Sequence, residues 1–224
     1  MPTLPQPHVP TLAITGSTQR FPVRRIYCVG RNYADHAREM GGDPGREQPF
    51  FFGKPADAVV GSGRLPFPSR TAELHHEVEL VVALHAGGAN IPVTGAAAMI
   101  FAHAVGIDLT RRDLQAEAKK SGRPWDMAKG FDRSAPIGSL KLGLPPVAGS
   151  ISLRINGQLR QNGDLKDMIW SVAEIIAALS SYVELAPGDL IFTGTPAGVG
   201  PIKRGETARG MIAGIEPIEI TFEE

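Results

Sequence analysis

His75-His76-Glu77-Val78-Glu79-Leu80-Val81-Val82-Ala83-Leu84 is the stretch on which the reading of this chain turns. Its composition is that of a β-strand. Side chains of a strand alternate faces, so Glu77, Glu79, Val81 and Ala83 point the same way. Two carboxylates therefore stand side by side, roughly 6 to 7 Å apart at the backbone, on a face that runs straight into a buried one. Like charges that close and partly desolvated repel and lose hydration unless a cation holds them. A divalent metal answers that need; an edge strand whose acids simply face water is the competing reading.

A third acid favours the metal. Asp108 ends the apolar run Ala104-Val105-Gly106-Ile107-Asp108-Leu109, where a strand stops and a helix is expected to start. All-oxygen ligands at strand ends suit a hard cation, Mg²⁺ or Mn²⁺, that keeps positions open for water and substrate oxygens. Zinc fits less well, because no Cys/His cluster of the usual spacing accompanies the acids.

At 224 residues the chain can bury one substantial core. Neither low-complexity linker nor internal repeat divides it, and one domain spanning 1–224 is expected, with residues 1–20 as an irregular arm carrying four prolines. Lys+Arg and Asp+Glu balance at 23 each, and the basic residues are scattered, which argues against nucleic acid as a partner. No apolar run is long enough to span a bilayer and the Pro-rich start has no signal-peptide core, so a cytoplasmic protein is expected. The single cysteine, Cys28, lies in the apolar strand Ile26-Tyr27-Cys28-Val29 and reads as a small buried hydrophobe.

Further along, Gly30 to Gly42 reads as a short helix candidate, with Asn32 as N-cap, Asp35 three residues on, and glycines at both ends that permit a hinge. His36 and Glu39, three apart, share a face of it. So little apolar surface accompanies them that the helix reads as a mobile lid. Phe50-Phe51-Phe52 is a strand, Val93 to Phe101 suggests a helix, and Thr110 with Asp113 reads as the capping pair of a helix closed by Gly122. Asn156-Gly157 between alternating residues signals a type I′ hairpin, and Ser171 with Glu174 opens an amphipathic helix. The count favours an α+β fold, mainly β, with short helices.

The chain also resembles the fumarylacetoacetate hydrolase family. The motifs Tyr27-Cys28-Val29-Gly30-Arg31-Asn32-Tyr33-Ala34-Asp35-His36, His75 to Leu80, Asp108-Leu109-Thr110-Arg111-Arg112-Asp113-Leu114-Gln115 and Gly194-Thr195-Pro196-Ala197-Gly198-Val199-Gly200-Pro201 follow the family's order. Within it, Phe21 to Arg25 and Asp43 to Phe52 are most similar to the fumarylpyruvate hydrolases. The resemblance implies a mixed β-roll, a homodimer, and Mg²⁺ or Mn²⁺ on Glu77, Glu79 and Asp108. It implies a 2,4-diketo acid as substrate, with a water activated by His36 and Glu39 attacking its C4 carbonyl. Lys129 would stabilise developing negative charge. Arg31, Arg112, Gln115 and Thr195 would bind substrate oxygens.

A substrate with a second carboxylate at its far end needs a cation there. Arg46, just after the lid helix, is expected to supply it, with Arg38 as second choice. Lys54 is a weaker candidate for supporting the metal site, and His76, on the face opposite Glu77, is expected to be structural. The same site chemistry would also serve an oxaloacetate decarboxylase, or a hydratase or isomerase of 2-oxo-enoic acids. A β protein holding a structural ion is the non-catalytic alternative.

Overall fold

In the computed structural model, which describes residues 4, 8–39 and 47–224 (only the backbone of residues 37 and 39), the Val78–Leu84 strand is buried along its whole length. It lies third in a six-stranded sheet ordered Lys141–Leu142, Ile100–Ile107, Val78–Leu84, Asp189–Phe192, Arg25–Gly30, Phe50–Lys54. Both of its neighbours run antiparallel to it, whereas Asp189–Phe192 and Arg25–Gly30 run parallel, so the sheet is mixed. A second sheet of five strands orders Gln158–Asp164, Ser150–Ile155, Thr207–Ile212, Ile218–Phe222 and Gly63–Leu65.

Leu80, Val82 and Leu84 pack with Ile151, Leu153, Ile218 and Ile220 of the second sheet and with Ile175, Ile176 and Leu179 of the Val172–Tyr182 helix. Val81 and Ala83 look the other way, into a cluster with Leu12, Phe21, Cys28, Ala104 and Phe192. A strand covered on both faces needs apolar side chains at successive positions, which accounts for the unbroken run after Glu79. Shortening one of these side chains, for example Leu80→Ala, would cost about 2 to 5 kcal/mol. Cys28 is fully buried, and burial pushes its thiol pKa well up, so it behaves as a hydrophobe.

Several local expectations hold. Asn156 and Gly157 both take positive φ, 48° and 81°, as a type I′ turn requires. Ser171 and Glu174 close a reciprocal capping box. Others are corrected. The N-terminal arm is not irregular throughout, since Thr11–Ala13 pairs with Arg20–Pro22 and turns Leu12, Ile14 and Phe21 into the core. Asn32 does not cap the helix, which spans Ala34–Glu39; its amide reaches across to Trp170 and to the Thr193 carbonyl. At Gly30 a Cβ would strike the Phe50 ring at 1.9 Å, so its hydrogen makes room for that ring; the glycines expected at the other end of the helix lie outside the described residues. Thr110 sits in a short strand against His75, and the next helix, Arg112–Lys120, has Asp113 bonded to Thr71 and the Ala72 N–H instead. Val93–Met99 is a 3₁₀ helix, and Ile100 already begins the following strand.

Candidate active site

Glu77 falls at a break, between strands Leu74–His76 and Val78–Leu84. Its carbonyl accepts from the Asp108 N–H at 2.8 Å, where the adjacent strand Ile100–Ile107 ends. That bond carries Asp108 to the side of the sheet where Glu77 and Glu79 stand. Gly106, opposite Glu79, has no room for a side chain, because a Cβ would lie 2.5 Å from Val81 Cγ2. The three buried carboxylates thus converge, with one oxygen of each within 4.8 Å of the others.

Cations surround two of the three acids. Lys129, at the end of the short helix Asp126–Lys129, donates to Glu77 Oε2 at 2.8 Å and Asp108 Oδ2 at 2.6 Å. Arg112 donates to Glu77 and, at 2.6 Å, to Gln115. Lys54 is fully buried at the end of its strand, 2.8 Å from Asp108 Oδ1, and anchors itself on the Leu109 and Lys129 carbonyls. Its approach to Asp108 is an ion pair without hydrogen-bond alignment, so Oδ1 accepts no hydrogen bond. Burial works to raise the Glu77 pKa, but Lys129 and Arg112 outweigh it and hold that carboxyl well below the usual range. Burial likewise disfavours the Lys129 ammonium, and Asp108 and Glu77 more than compensate, keeping it charged.

Glu79 differs. Among the described residues it has no ion pair; its partner is the Gly194 N–H at 2.6 Å. Burial first, then Asp108 and Glu77, push its pKa well up. Three hard oxygens within 4.8 Å of one another, one uncompensated and one with an unused lone pair, fit a divalent cation.

Gly194 is held to glycine twice over. Its φ is +97°, and a Cβ would lie 2.6 Å from Asn32 Cβ. Thr195 follows, with its hydroxyl donating to the Val78 carbonyl and accepting from Gln161 Nε2, each at 2.8 Å. The other end of the Gln161 amide accepts from the Val78 N–H and meets His76 Nδ1, both at 3.0 Å. His76 is structural, as its position opposite Glu77 predicts.

One cavity gathers His36, Glu77, Glu79, Arg112, Gln115, Lys129 and Thr195, and toward solvent is flanked by Arg31, Lys119, Phe50, Phe52 and Trp125. His36 is buried, although the short helix offers little else to the core. Of the remaining expected groups, Arg46 and the Glu39 side chain lie outside the described residues. Arg38 pairs with Asp35 on the exposed side of the helix and does not line the cavity.

Sequence reasoning passed over Gln161, Lys119 and Trp125 and gave Asn32 a different role, while Lys54, a weaker candidate there, lies against Asp108. For Lys119 a signal existed, because Arg112, Gln115 and Lys119 recur at helical spacing on one face. Nothing local marks Gln161, one buried amide in an otherwise solvated strand.

A mixed β-roll brings Glu77, Glu79, a histidine and a lysine to one cavity, with Asp108 beside the two glutamates, an arrangement that could hold a divalent metal. The chain belongs to the fumarylacetoacetate hydrolase family, with residues 25–223 matching the fumarylacetoacetate (FAA) hydrolase C-terminal region. The crystal structure of fumarylpyruvate hydrolase from Pseudomonas aeruginosa, in complex with Mn²⁺ and pyruvate, is 50% identical with a TM-score of 0.96, covering 99% of both chains. Fumarylpyruvate hydrolase of a Ralstonia species is 41% identical over 182 residues, 80% of this chain and 95% of that protein. The mitochondrial oxaloacetate tautomerase of Mus musculus is 43% identical over 196 residues, 86% of this chain and 88% of its own.

Proposed function

We propose that this chain is a metal-dependent hydrolase of acylpyruvates, cleaving 3-fumarylpyruvate to fumarate and pyruvate in gentisate-type aromatic degradation. The observation that carries this reading is that His36 shares a cavity with Glu77 and Glu79, which cluster with the buried Asp108. The 50%-identical Pseudomonas aeruginosa enzyme, crystallised with Mn²⁺ and pyruvate, supports it. Glu77, Glu79 and Asp108 would hold Mg²⁺ or Mn²⁺, which when bound supplies Lewis acidity toward the carboxylate and 2-keto oxygens of the substrate.

The protein's own groups do the rest. Arg112, Gln115, Thr195 and Arg31 bind substrate oxygens and fix C4 over His36. His36 takes a proton from the water that adds to C4, and Glu39, three residues on in the sequence, would orient the imidazole. The C3–C4 bond then breaks, its electron pair passes to C3 of the pyruvate fragment, C3 takes up the proton that His36 removed from the water, and C4 leaves as the new carboxyl of fumarate. Lys129, charged and buried, faces the negative charge that grows on the pyruvoyl side. The same reading takes residues 1–224 as one catalytic domain acting as a cytoplasmic homodimer.

A panel of fumarylpyruvate, acetylpyruvate and oxaloacetate, assayed with EDTA and after adding back Mg²⁺ or Mn²⁺, tests the proposal. Cleavage of fumarylpyruvate should dominate, vanish with EDTA and return with the metal. Near-normal turnover after chelation and dialysis would sink it. The 43%-identical tautomerase favours a second reading, conversion of the enol and keto forms of oxaloacetate. That reading takes over if oxaloacetate turnover outpaces every acylpyruvate.

A further inference from the structure

Toward solvent the cavity changes character. Its wall becomes aromatic, with Trp125 edge-on to Phe50 at 5.9 Å and tilted against Phe52 at 6.2 Å. Two cations stand at its rim, Lys119 and Arg31. Neither pairs with an acid among the described residues; the Lys119 ammonium lies 5.1 Å from the Trp125 ring centroid. The cations deeper in are already engaged, Arg112 by Glu77 and Lys129 by Glu77 and Asp108.

We propose that Lys119 and Arg31, with Trp125 as the adjoining wall, form an anion subsite for the distal carboxylate of a dicarboxylic acylpyruvate. The assignment rests on the preceding reading, in which the pyruvoyl end lies at the three carboxylates. Lys119 belongs to the helix face that carries Arg112 and Gln115. Seven residues of helix separate it from Arg112 by about 10 Å along the axis. Helical side chains lean toward the N-terminus, which directs Lys119 back over the cavity. A seven-carbon chain charged at both ends bridges these groups, and flat aromatic walls suit its unsaturated middle.

Two further observations agree. Arg31 is a non-glycine residue at φ +57°, a backbone state that costs of order 1 kcal/mol and concentrates at functional sites. Burial, followed by Arg112 and Arg31, holds the Lys119 pKa below the usual lysine range, which marks a surplus of positive charge. A carboxylate there would relieve it. Arg38 does not line the cavity and Arg46 lies outside the described residues, so the subsite is a different source of selectivity for a diacid from either.

The test compares wild type with Lys119→Met, which keeps the stem and removes the charge, and with Lys119→Arg, which restores a cation. In Lys119→Met the ratio of kcat/KM for fumarylpyruvate to that for acetylpyruvate should fall roughly 10- to 100-fold, the range of one charged hydrogen bond. The loss should appear in KM, and Lys119→Arg should recover most of it. Calorimetric titration of Mn²⁺-loaded His36→Ala protein with both compounds gives a readout free of turnover. There the preference for fumarylpyruvate should disappear when Lys119→Met is added. An unchanged ratio, equal losses on both substrates, or a ratio that responds to Arg46→Ala and not to Lys119→Met overturns the subsite. If wild type hydrolyses no acylpyruvate, the hydrolase reading falls, and the subsite stands or falls on the titration alone.

Discussion

Glu79 carries the least compensated charge of the candidate site, and a substitution there separates metal binding from folding. Its carboxylate accepts one backbone N–H and faces two other acids. Glu79→Gln keeps an oxygen for the Gly194 N–H and is neutral at every pH, as the raised pKa makes Glu79 when it holds its proton. Without metal the variant should therefore melt at or above the wild-type temperature. Its Mn²⁺-induced rise in melting temperature should be lost and its turnover abolished, because a neutral amide is a poor third ligand for a hard cation. A variant that melts lower without metal yet keeps the Mn²⁺ effect would show that Glu79 is a structural acid. His36 answers to a different measurement. Replacing it by Ala should cut hydrolysis by roughly two to four orders of magnitude, the usual range for a lost general base, with ligand binding preserved. Because His36 is buried, circular dichroism and melting must accompany the kinetics, and a collapse in stability with modest kinetic loss would make it a packing residue.

Among elements, the break at Glu77 matters most, since it turns the end of a core strand into a metal site. Gln161 holds that break from a different sheet, bonding the Val78 N–H between the two glutamates and the Thr195 hydroxyl beyond them. Gln161→Glu keeps the acceptor and loses the donor. It should raise KM for substrates held by Thr195 while Mn²⁺ affinity stays near wild type; a parallel loss of Mn²⁺ affinity would mean that the amide positions the ligands themselves. The glutamates, Asp108 and the shared face of Val81 and Ala83 were legible in the sequence, because alternation along a strand is a local property. The helix caps at Ser171 and the Asn156-Gly157 turn were legible for the same reason. Lys129, Arg112 and Thr195 came only through family resemblance, since nothing local shows that a lysine 52 residues from Glu77 will meet it. Asn32 was misread because a polar residue before a helix looks like a cap, whereas here the opposing segment at Thr193 and Trp170 takes its amide. The N-terminal hairpin was hidden by prolines before Thr11, although Leu12 and Ile14 already alternate.

At the scale of the whole molecule, one strand joins two apolar cores and starts at Glu77 and Glu79, which meet Asp108 from the end of its neighbour, so occupancy of the site should be felt as global stability. A ligand of the folded state at 100 times its Kd adds about 2.7 kcal/mol, which for a chain of this size is roughly 5 to 10 °C in melting temperature. The pH dependence follows from the groups involved. The raised Glu79 pKa means that the metal-free fold holds a proton the unfolded chain releases, so its contribution is complete at acid pH and lost as pH rises through the folded value. His75 works in the other direction. Burial, then Arg112 and His76, lower its pKa to about 4, so the fold stays neutral there while the unfolded chain takes up a proton below about 6.5. Stability from His75 is therefore present above that value and lost on acidification toward 4. A bound divalent cation displaces the Glu79 proton, and its stabilising effect must grow with pH. Scanning calorimetry at pH 5.5, 7 and 8, with and without saturating Mn²⁺, should show an increment in melting temperature that widens from the first to the last. His75→Gln should flatten the acid limb of the metal-free curve without touching the increment, whereas Glu79→Gln should erase the increment at every pH. An increment that is constant with pH, or that survives in Glu79→Gln, would place the ion elsewhere than on these three carboxylates.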